Sequence, residues 1–170
     1  MKILTICGSN REASTNLKLV NALPFLFPKQ YIYNYKGIYK LPLFEADLDS
    51  NPLPPQVVEW RKLISEYDAI IICTPEYIHN IPAVLKNALE WITSSGELDG
   101  KLVLPITFTP HPPRGEKAMQ SLLFSLLALN ARVVTQLPLF QSDIIYNKKG
   151  NLDISEGRTS LEEAIQLLIK

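Results

Sequence analysis

The stretch KILTICGSNREASTN, from Lys2 to Asn16, decides the fold of this 170-residue chain. Its first part, Ile3 to Cys7, is a short apolar and β-branched run, which predicts a buried strand. A polar loop begins at Gly8, and apolar residues at helical spacing resume at Leu17. A strand, a hydroxyl-rich loop and a helix start form a layout typical of a phosphate site. The helix N-terminus there offers unpaired backbone N–H groups and a partial positive charge.

The composition of this loop limits the phosphate that it could bind. It holds one glycine, Gly8, and therefore is not the three-glycine turn that admits a dinucleotide pyrophosphate. It lacks the Gly-Lys-Ser/Thr ending of nucleoside triphosphate loops, and Arg11 follows Cys7 too early for a cysteine phosphatase. The loop suits a terminal phosphomonoester, with Arg11 as a bidentate cation. The alternative is an ordinary strand–helix turn in which Ser14 or Thr15 only caps the helix.

Composition and charge bear on the class of protein. The length fits one domain over residues 1–170. The 17 basic and 17 acidic residues balance, which argues against a nucleic-acid partner. No apolar run reaches the roughly 20 residues that span a bilayer, and the first core strand leaves no room for a signal peptide. With two cysteines, we expect a cytoplasmic protein without a membrane partner. Two histidines without a cluster of cysteines or carboxylates predict no metal site.

Apolar periodicity predicts five strands that alternate with five helices. The predicted strands cover residues 3–7, 31–35, 69–73, 102–108 and 132–135. The last predicted helix has Ser160 and Glu163 at the spacing of a capping box. This alternation predicts an α/β fold with a doubly wound parallel sheet. Ligands bind such sheets beyond the carboxyl ends of the strands, so we expect the loops after strands one, three and four to converge on one site.

Two motifs resemble those of the NADPH-dependent FMN reductase family. The first is the loop over 8–16, and the second is the PEY of 75–77 with the LKNALEW of 85–91. The KLPLF of 40–44 and the GK of 100–101 are also similar to the family. The resemblance covers most of the chain in the right order. It implies a flavodoxin-like three-layer sandwich with a five-stranded parallel sheet in the order 2-1-3-4-5.

The resemblance implies an enzyme that holds FMN non-covalently and takes a hydride from NADPH or NADH. Electrons would then pass to a flavin, a quinone or another small acceptor. Because the flavin carries the redox chemistry, no catalytic side chain is expected. Matched by position, the implied cofactor-binding residues lie in three loops: Ser9, Arg11, Ser14, Thr15 and Asn16 at the phosphate, Pro75, Glu76, Tyr77 and Ile78 beside the isoalloxazine ring, and Thr109 and His111 after strand four.

Two positions depart from the family pattern. Ile78 stands where the family usually has Asn, and the loop TPHPPRG over 109–115 is proline-rich where the family's loop is glycine-rich. Proline removes N–H donors and restricts the backbone, so this loop cannot embrace a ring in the same way. Two alternatives therefore stay open: a non-enzymatic flavin-binding electron carrier, and a degenerate member without redox activity.

The predicted helix over 116–130 indicates an oligomer. It is apolar almost all round over 122–129, which favours a second packing partner. We therefore expect a homodimer or a dimer of dimers, with the flavin near the subunit interface, as the resemblance also implies. Cys7 and Cys73 end strands that are neighbours in the implied order, and we expect two buried thiols rather than a disulfide.

Overall fold

The structure is a computed structural model, and it describes residues 1–50 and 52–170. Within these residues, six strands form one parallel sheet, and five of them follow the order β2–β1–β3–β4–β5. The strands are β1 (Lys2–Cys7), β2 (Tyr31–Tyr35), β3 (Ala69–Thr74), β4 (Leu102–Thr109), β5 (Arg132–Val133) and β6 (Leu137–Phe140). The predicted α/β fold and its strand order are confirmed.

Helices cover both faces of the sheet. They are α1 (Thr15–Leu26), α2 (Pro55–Ser65), α3 (Ala83–Glu90), α4 (Glu116–Ala128) and α5 (Glu156–Ile169). Alternate residues of the central strand β3 serve the two faces: Ile70 and Ile72 pack in the core under α2, α3 and α4, and Ile71 packs in the core under α1 and α5. All three isoleucines are fully buried, which stabilises the fold by about 1.5–3 kcal/mol per side chain. None of the described helices is both long and apolar enough to cross a bilayer.

The last strand differs from the prediction. The run predicted over 132–135 is a two-residue strand, β5, and a further strand, β6, follows it. Both run parallel to β4: β5 pairs with its start, and β6 pairs with its carboxyl end. Periodicity does not predict β6, because Pro138 interrupts a run of only four residues. A proline is tolerated there because β6 has one partner strand in the described sheet.

The capping box predicted for the last helix is wrong. Helix α5 begins at Glu156, and Ser155 is its N-cap, with its Oγ accepting a hydrogen bond from the Arg158 N–H at 3.3 Å. Ser160 and Glu163 lie inside the helix. The first turn includes Gly157, a poor helix former, because the helix packs closely on the preceding segment there. A Cβ at this position would lie 2.7 Å from the carbonyl oxygen of Asp143.

Candidate functional site

The loops after β1, β3 and β4 converge beyond the carboxyl ends of the strands, as predicted. They line a cavity of about 220 Å³, which we call the switch-point cavity. Its lining residues come from the three loops, from the adjoining ends of α1 and β4, and from the segment after β6: Arg11, Ser14, Thr15, Asn16, Pro75, Glu76, Tyr77, Phe108, Thr109, Pro110, Arg114 and Gln141. An adjoining cavity of about 290 Å³ is lined by Ser9 and also by Arg11. The predicted residues Ile78 and His111 are exposed and do not line the switch-point cavity.

A buried hydroxyl stands at the start of α1. Ser14 is the N-cap of this helix and is only 6% exposed, yet its side chain makes no capping hydrogen bond within the described chain. The capping role considered for Ser14 is therefore not observed. The Ser14 hydroxyl lies within hydrogen-bonding reach of the Cys7 thiol. The backbone N–H groups of the first turn remain available to an anionic ligand.

The guanidinium of Arg11 is exposed at the rim of both cavities. One of its nitrogens, Nη2, donates a hydrogen bond to the carbonyl oxygen of Ala13 at 3.0 Å, so the side chain folds back over its own loop. The backbone N–H of Arg11 points to the hydroxyl of Ser9 at 3.4 Å. The loop after β1 therefore carries a cation, Arg11, and a second hydroxyl, Ser9, in addition to Ser14.

The side-chain amide of Asn16 is used inside the protein. Its Nδ2 donates to the carbonyl oxygen of Phe108 at 3.0 Å, and its Oδ1 accepts from the Sγ of Cys73 at 3.2 Å. The amide thus ties α1 to β3 and β4, which leaves the backbone N–H of Asn16 for a ligand. Cys73 is paired in register with Cys7 of β1. Both thiols are free and buried, as expected, and burial raises the pKa of each.

Thr15 has a partner from the far end of the chain. The Nε2 of Gln141 donates to the Thr15 hydroxyl at 3.1 Å, and both residues line the switch-point cavity. Gln141 follows directly on β6. Its place in the site could not be predicted without that strand, because β6 is what carries it to the carboxyl end of the sheet.

A tight turn closes the loop after β3. Tyr77 and Asn80 exchange two backbone hydrogen bonds, of 2.9 and 3.0 Å, with Ile78 and His79 between them. Both central residues adopt left-handed backbone, with φ of 50° and 55°. Turns of this kind favour Asn and Gly at both positions, so Ile78 is a strained choice.

Glu76 connects the loop after β3 to the start of α4. Its Oε2 accepts hydrogen bonds from the backbone N–H groups of Gly115, Lys117 and Ala118 at 3.0–3.1 Å. A carboxylate is favourable at this place because the N-terminus of a helix carries a partial positive charge. Two of the three loops around the cavity are therefore held together by one side chain.

The proline-rich loop after β4 is fixed by its own contacts. The Thr109 hydroxyl donates to the carbonyl oxygen of Arg114 at 2.8 Å, and the Arg114 N–H donates to the carbonyl oxygen of His111 at 3.1 Å. Gly115 then takes a φ of 103°, and a Cβ there would lie 3.0 Å from the Thr107 Oγ1. Arg114, which is not among the predicted site residues, is placed on the cavity by these contacts. The sequence did contain a signal for Arg114, because this arginine follows the prolines of the loop after β4, one of the three loops expected to converge on the site.

The remaining motif residues have structural roles. The Asn87 amide accepts from the Phe44 N–H at 2.7 Å and donates to the Pro42 carbonyl oxygen at 2.9 Å. The Trp91 Nε1 donates to the same carbonyl oxygen at 2.7 Å. The LKNALEW helix therefore clamps the KLPLF segment. The Nζ of Lys101 donates to the carbonyl oxygens of Ile64, in the last turn of α2, and of Tyr67, just after that helix, and burial lowers the pKa of Lys101.

Comparison with known proteins gives relatives along nearly the whole chain. The family model described as NADPH-dependent FMN reductase matches residues 1–142. The NADH:(hydroxy)cinnamate reductase subunit CrdA of Vibrio ruber is 36% identical over 169 residues, which cover 96% of this chain and 83% of that protein. The quinone reductase of Escherichia coli K12 is 31% identical over 181 residues, covering 98% of this chain and 96% of that protein.

The fold is shared with solved flavoenzymes. FerB, a flavoenzyme NAD(P)H:(acceptor) oxidoreductase from Paracoccus denitrificans, superposes with a TM-score of 0.84 at 22% identity and covers 99% of this chain and 95% of that chain. This likeness identifies the architecture as flavodoxin-like. Because the family model spans most of the sequence, the chain belongs to the NADPH-dependent FMN reductase family.

Proposed function

We propose that this chain is an FMN-dependent NAD(P)H oxidoreductase that passes electrons to a quinone, a flavin or another small acceptor. The observation that carries the proposal is the switch-point cavity, where a phosphate-type loop with a buried N-cap serine meets the two loops expected beside a ring. The family supports the same cofactor and the same reaction.

The donor set at the start of α1 fits a phosphomonoester. Ser14 offers a buried hydroxyl, the first turn offers backbone N–H groups, and Arg11 and Ser9 offer a cation and a second hydroxyl. Thr15 and Asn16 contribute through their backbone N–H groups, because their side chains already have partners. An anion at this place gains from both the helix dipole and charge-assisted hydrogen bonds.

The ring system of FMN would lie between the loop after β3 and the loop after β4. Pro75 and Tyr77 line the cavity from the loop after β3, and Thr109 and Pro110 line it from the end of β4 and the loop that follows. Ile78 and His111 are exposed residues of the same two loops, beyond the cavity lining. When bound, FMN would supply the redox chemistry, and Pro75, Tyr77, Thr109 and Pro110 would hold its ring between the two loops.

The visible spectrum and anaerobic titration with NADPH and NADH test the proposal. A yellow protein that bleaches on addition of either nicotinamide supports the oxidoreductase. A yellow protein that does not bleach would instead indicate an electron carrier. A protein that stays colourless after FMN is added would indicate a member of the family without the cofactor.

Substitution of Arg11 tests the phosphate site directly. Arg11→Ala should weaken the binding of FMN about tenfold or more and should leave the binding of riboflavin nearly unchanged, since riboflavin has no phosphate. Fluorescence titration of the apoprotein measures both affinities. Equal losses for the two ligands would contradict the assignment of Arg11.

We also propose that the chain forms a homodimer or a dimer of dimers, in the cytoplasm. Phe124 and Leu127 of α4 are 73% and 75% exposed, although Leu122 and Leu126 of the same helix are buried. Large exposed apolar side chains on one helix favour a protein partner. The two free thiols fit a reducing compartment. Size-exclusion chromatography with light scattering would contradict the dimer if it gave the mass of a monomer.

A further inference from the structure

The loop after β4 offers few backbone donors to a ligand. Positions 110, 112 and 113 are proline and have no N–H. The Arg114 N–H donates to His111, and the Gly115 N–H donates to Glu76. Glu76 also takes up two further N–H groups at the start of α4. A ring bound here therefore meets side chains where a glycine-rich loop would present backbone N–H groups.

Arg114 lines the switch-point cavity, and its backbone is held there by the loop. Its carbonyl oxygen accepts from the buried Thr109 hydroxyl, and its N–H is bonded within the loop. The arginine ion pairs found in the described chain use Arg61 and Arg158, and Arg114 takes part in none of them. The other cation on this cavity, Arg11, belongs to the phosphate loop and bonds to Ala13. The Arg114 backbone is thus fixed at the cavity, and its guanidinium forms no ion pair among the described residues.

We propose that the Arg114 guanidinium supplies the positive charge that stabilises reduced FMN in this site. The proposal rests on the proposed function. Hydride transfer moves two electrons and one proton from the nicotinamide, which becomes oxidised, to FMN, which becomes reduced and gains negative charge on its ring. A guanidinium stays charged at any working pH and donates in a planar fork, so it lowers the free energy of the anionic form more than that of the neutral oxidised form.

The test compares the two oxidation states of the bound cofactor. Wild type, Arg114→Gln and Arg114→Lys are loaded with FMN, and Arg132→Gln serves as the control because Arg132 is exposed on β5, outside the cavity lining. Fluorescence titration gives the affinity for oxidised FMN. Equilibration with a redox dye gives the midpoint potential, and the two together give the affinity for reduced FMN.

Arg114→Gln should weaken the binding of reduced FMN about tenfold more than that of oxidised FMN, which lowers the two-electron midpoint potential by ~30 mV. Arg114→Lys should lower the midpoint potential less than Arg114→Gln does, because lysine keeps the positive charge. Arg132→Gln should have the midpoint potential of wild type. An unchanged potential in Arg114→Gln, or equal losses of affinity in both oxidation states, would overturn the proposal and leave the proposed function intact. A wild-type protein that binds no FMN would overturn both.

Discussion

Replacement of Ile78 by Asn should raise the free energy of unfolding by about 1 kcal/mol. Ile78 has a φ of 50° and is 97% exposed. Left-handed backbone costs an ordinary residue roughly 1–2 kcal/mol, and the cost is felt fully by a β-branched side chain. Asn tolerates this conformation, and removing the isoleucine loses almost no buried surface. Relief of the backbone strain at this position should therefore raise the free energy of unfolding by most of that cost.

Thermal unfolding of the FMN-free protein measures the effect. For a chain of this size, 1 kcal/mol corresponds to a rise of roughly 2–4 °C in Tm. Ile154→Asn is the matched control, because Ile154 is also an exposed isoleucine, at 82%, and it is not among the residues with positive φ. The control variant should have the same Tm as wild type.

Two outcomes would refute this reasoning. If Ile78→Asn melts at or below the wild-type temperature, the left-handed turn does not store the expected strain. If Ile78→Asn and Ile154→Asn rise equally, the gain comes from removing exposed apolar surface rather than from the backbone.

Two further predictions concern the loop anchor and the pH dependence of stability. Glu76→Gln should lower the free energy of unfolding by about 1–2 kcal/mol, because a neutral amide is a weaker acceptor for the N–H groups at the start of α4. Urea denaturation measures this loss of stability. An unchanged denaturation midpoint would contradict the anchoring role of Glu76. Burial, followed by the nearby Tyr31, raises the pKa of Tyr67 from 10.0 to about 12. The folded state therefore holds this proton longer than the unfolded chain, so its contribution is complete below pH 10 and is lost as the pH rises toward 12. Tyr67→Phe should flatten the loss of stability over this range, and an identical slope in wild type and variant would contradict the assignment.

The local pattern of the sequence was sufficient for strands β1 to β4, for the start of β5 and for the position of the candidate site. Strand β3 is a continuous apolar run, and the stretch from Lys2 to Asn16 contains a strand, a loop and a helix start within a few residues. Such signals depend on neighbours along the chain, and the rule that ligands bind at the carboxyl ends of parallel strands then locates the cavity.

Contacts between distant segments decided how the site residues are used. The Glu76 carboxylate reaches N–H groups about 40 positions away, and the Asn16 amide reaches the carbonyl oxygen of Phe108 across the sheet. Gln141 and Arg114 join the cavity because β6 and the loop after β4 carry them there.

The sequence by itself therefore determined the α/β architecture, the strand order through its family motifs, and the three loops that line the candidate site. Only the tertiary structure decided which polar groups are already bonded within the protein, such as the Asn16 amide, and which remain for a ligand, such as the backbone N–H groups in the first turn of α1. The physical reason is that a hydrogen bond depends on distance and direction in space, whereas the sequence pattern specifies only which face of a strand or helix a residue occupies.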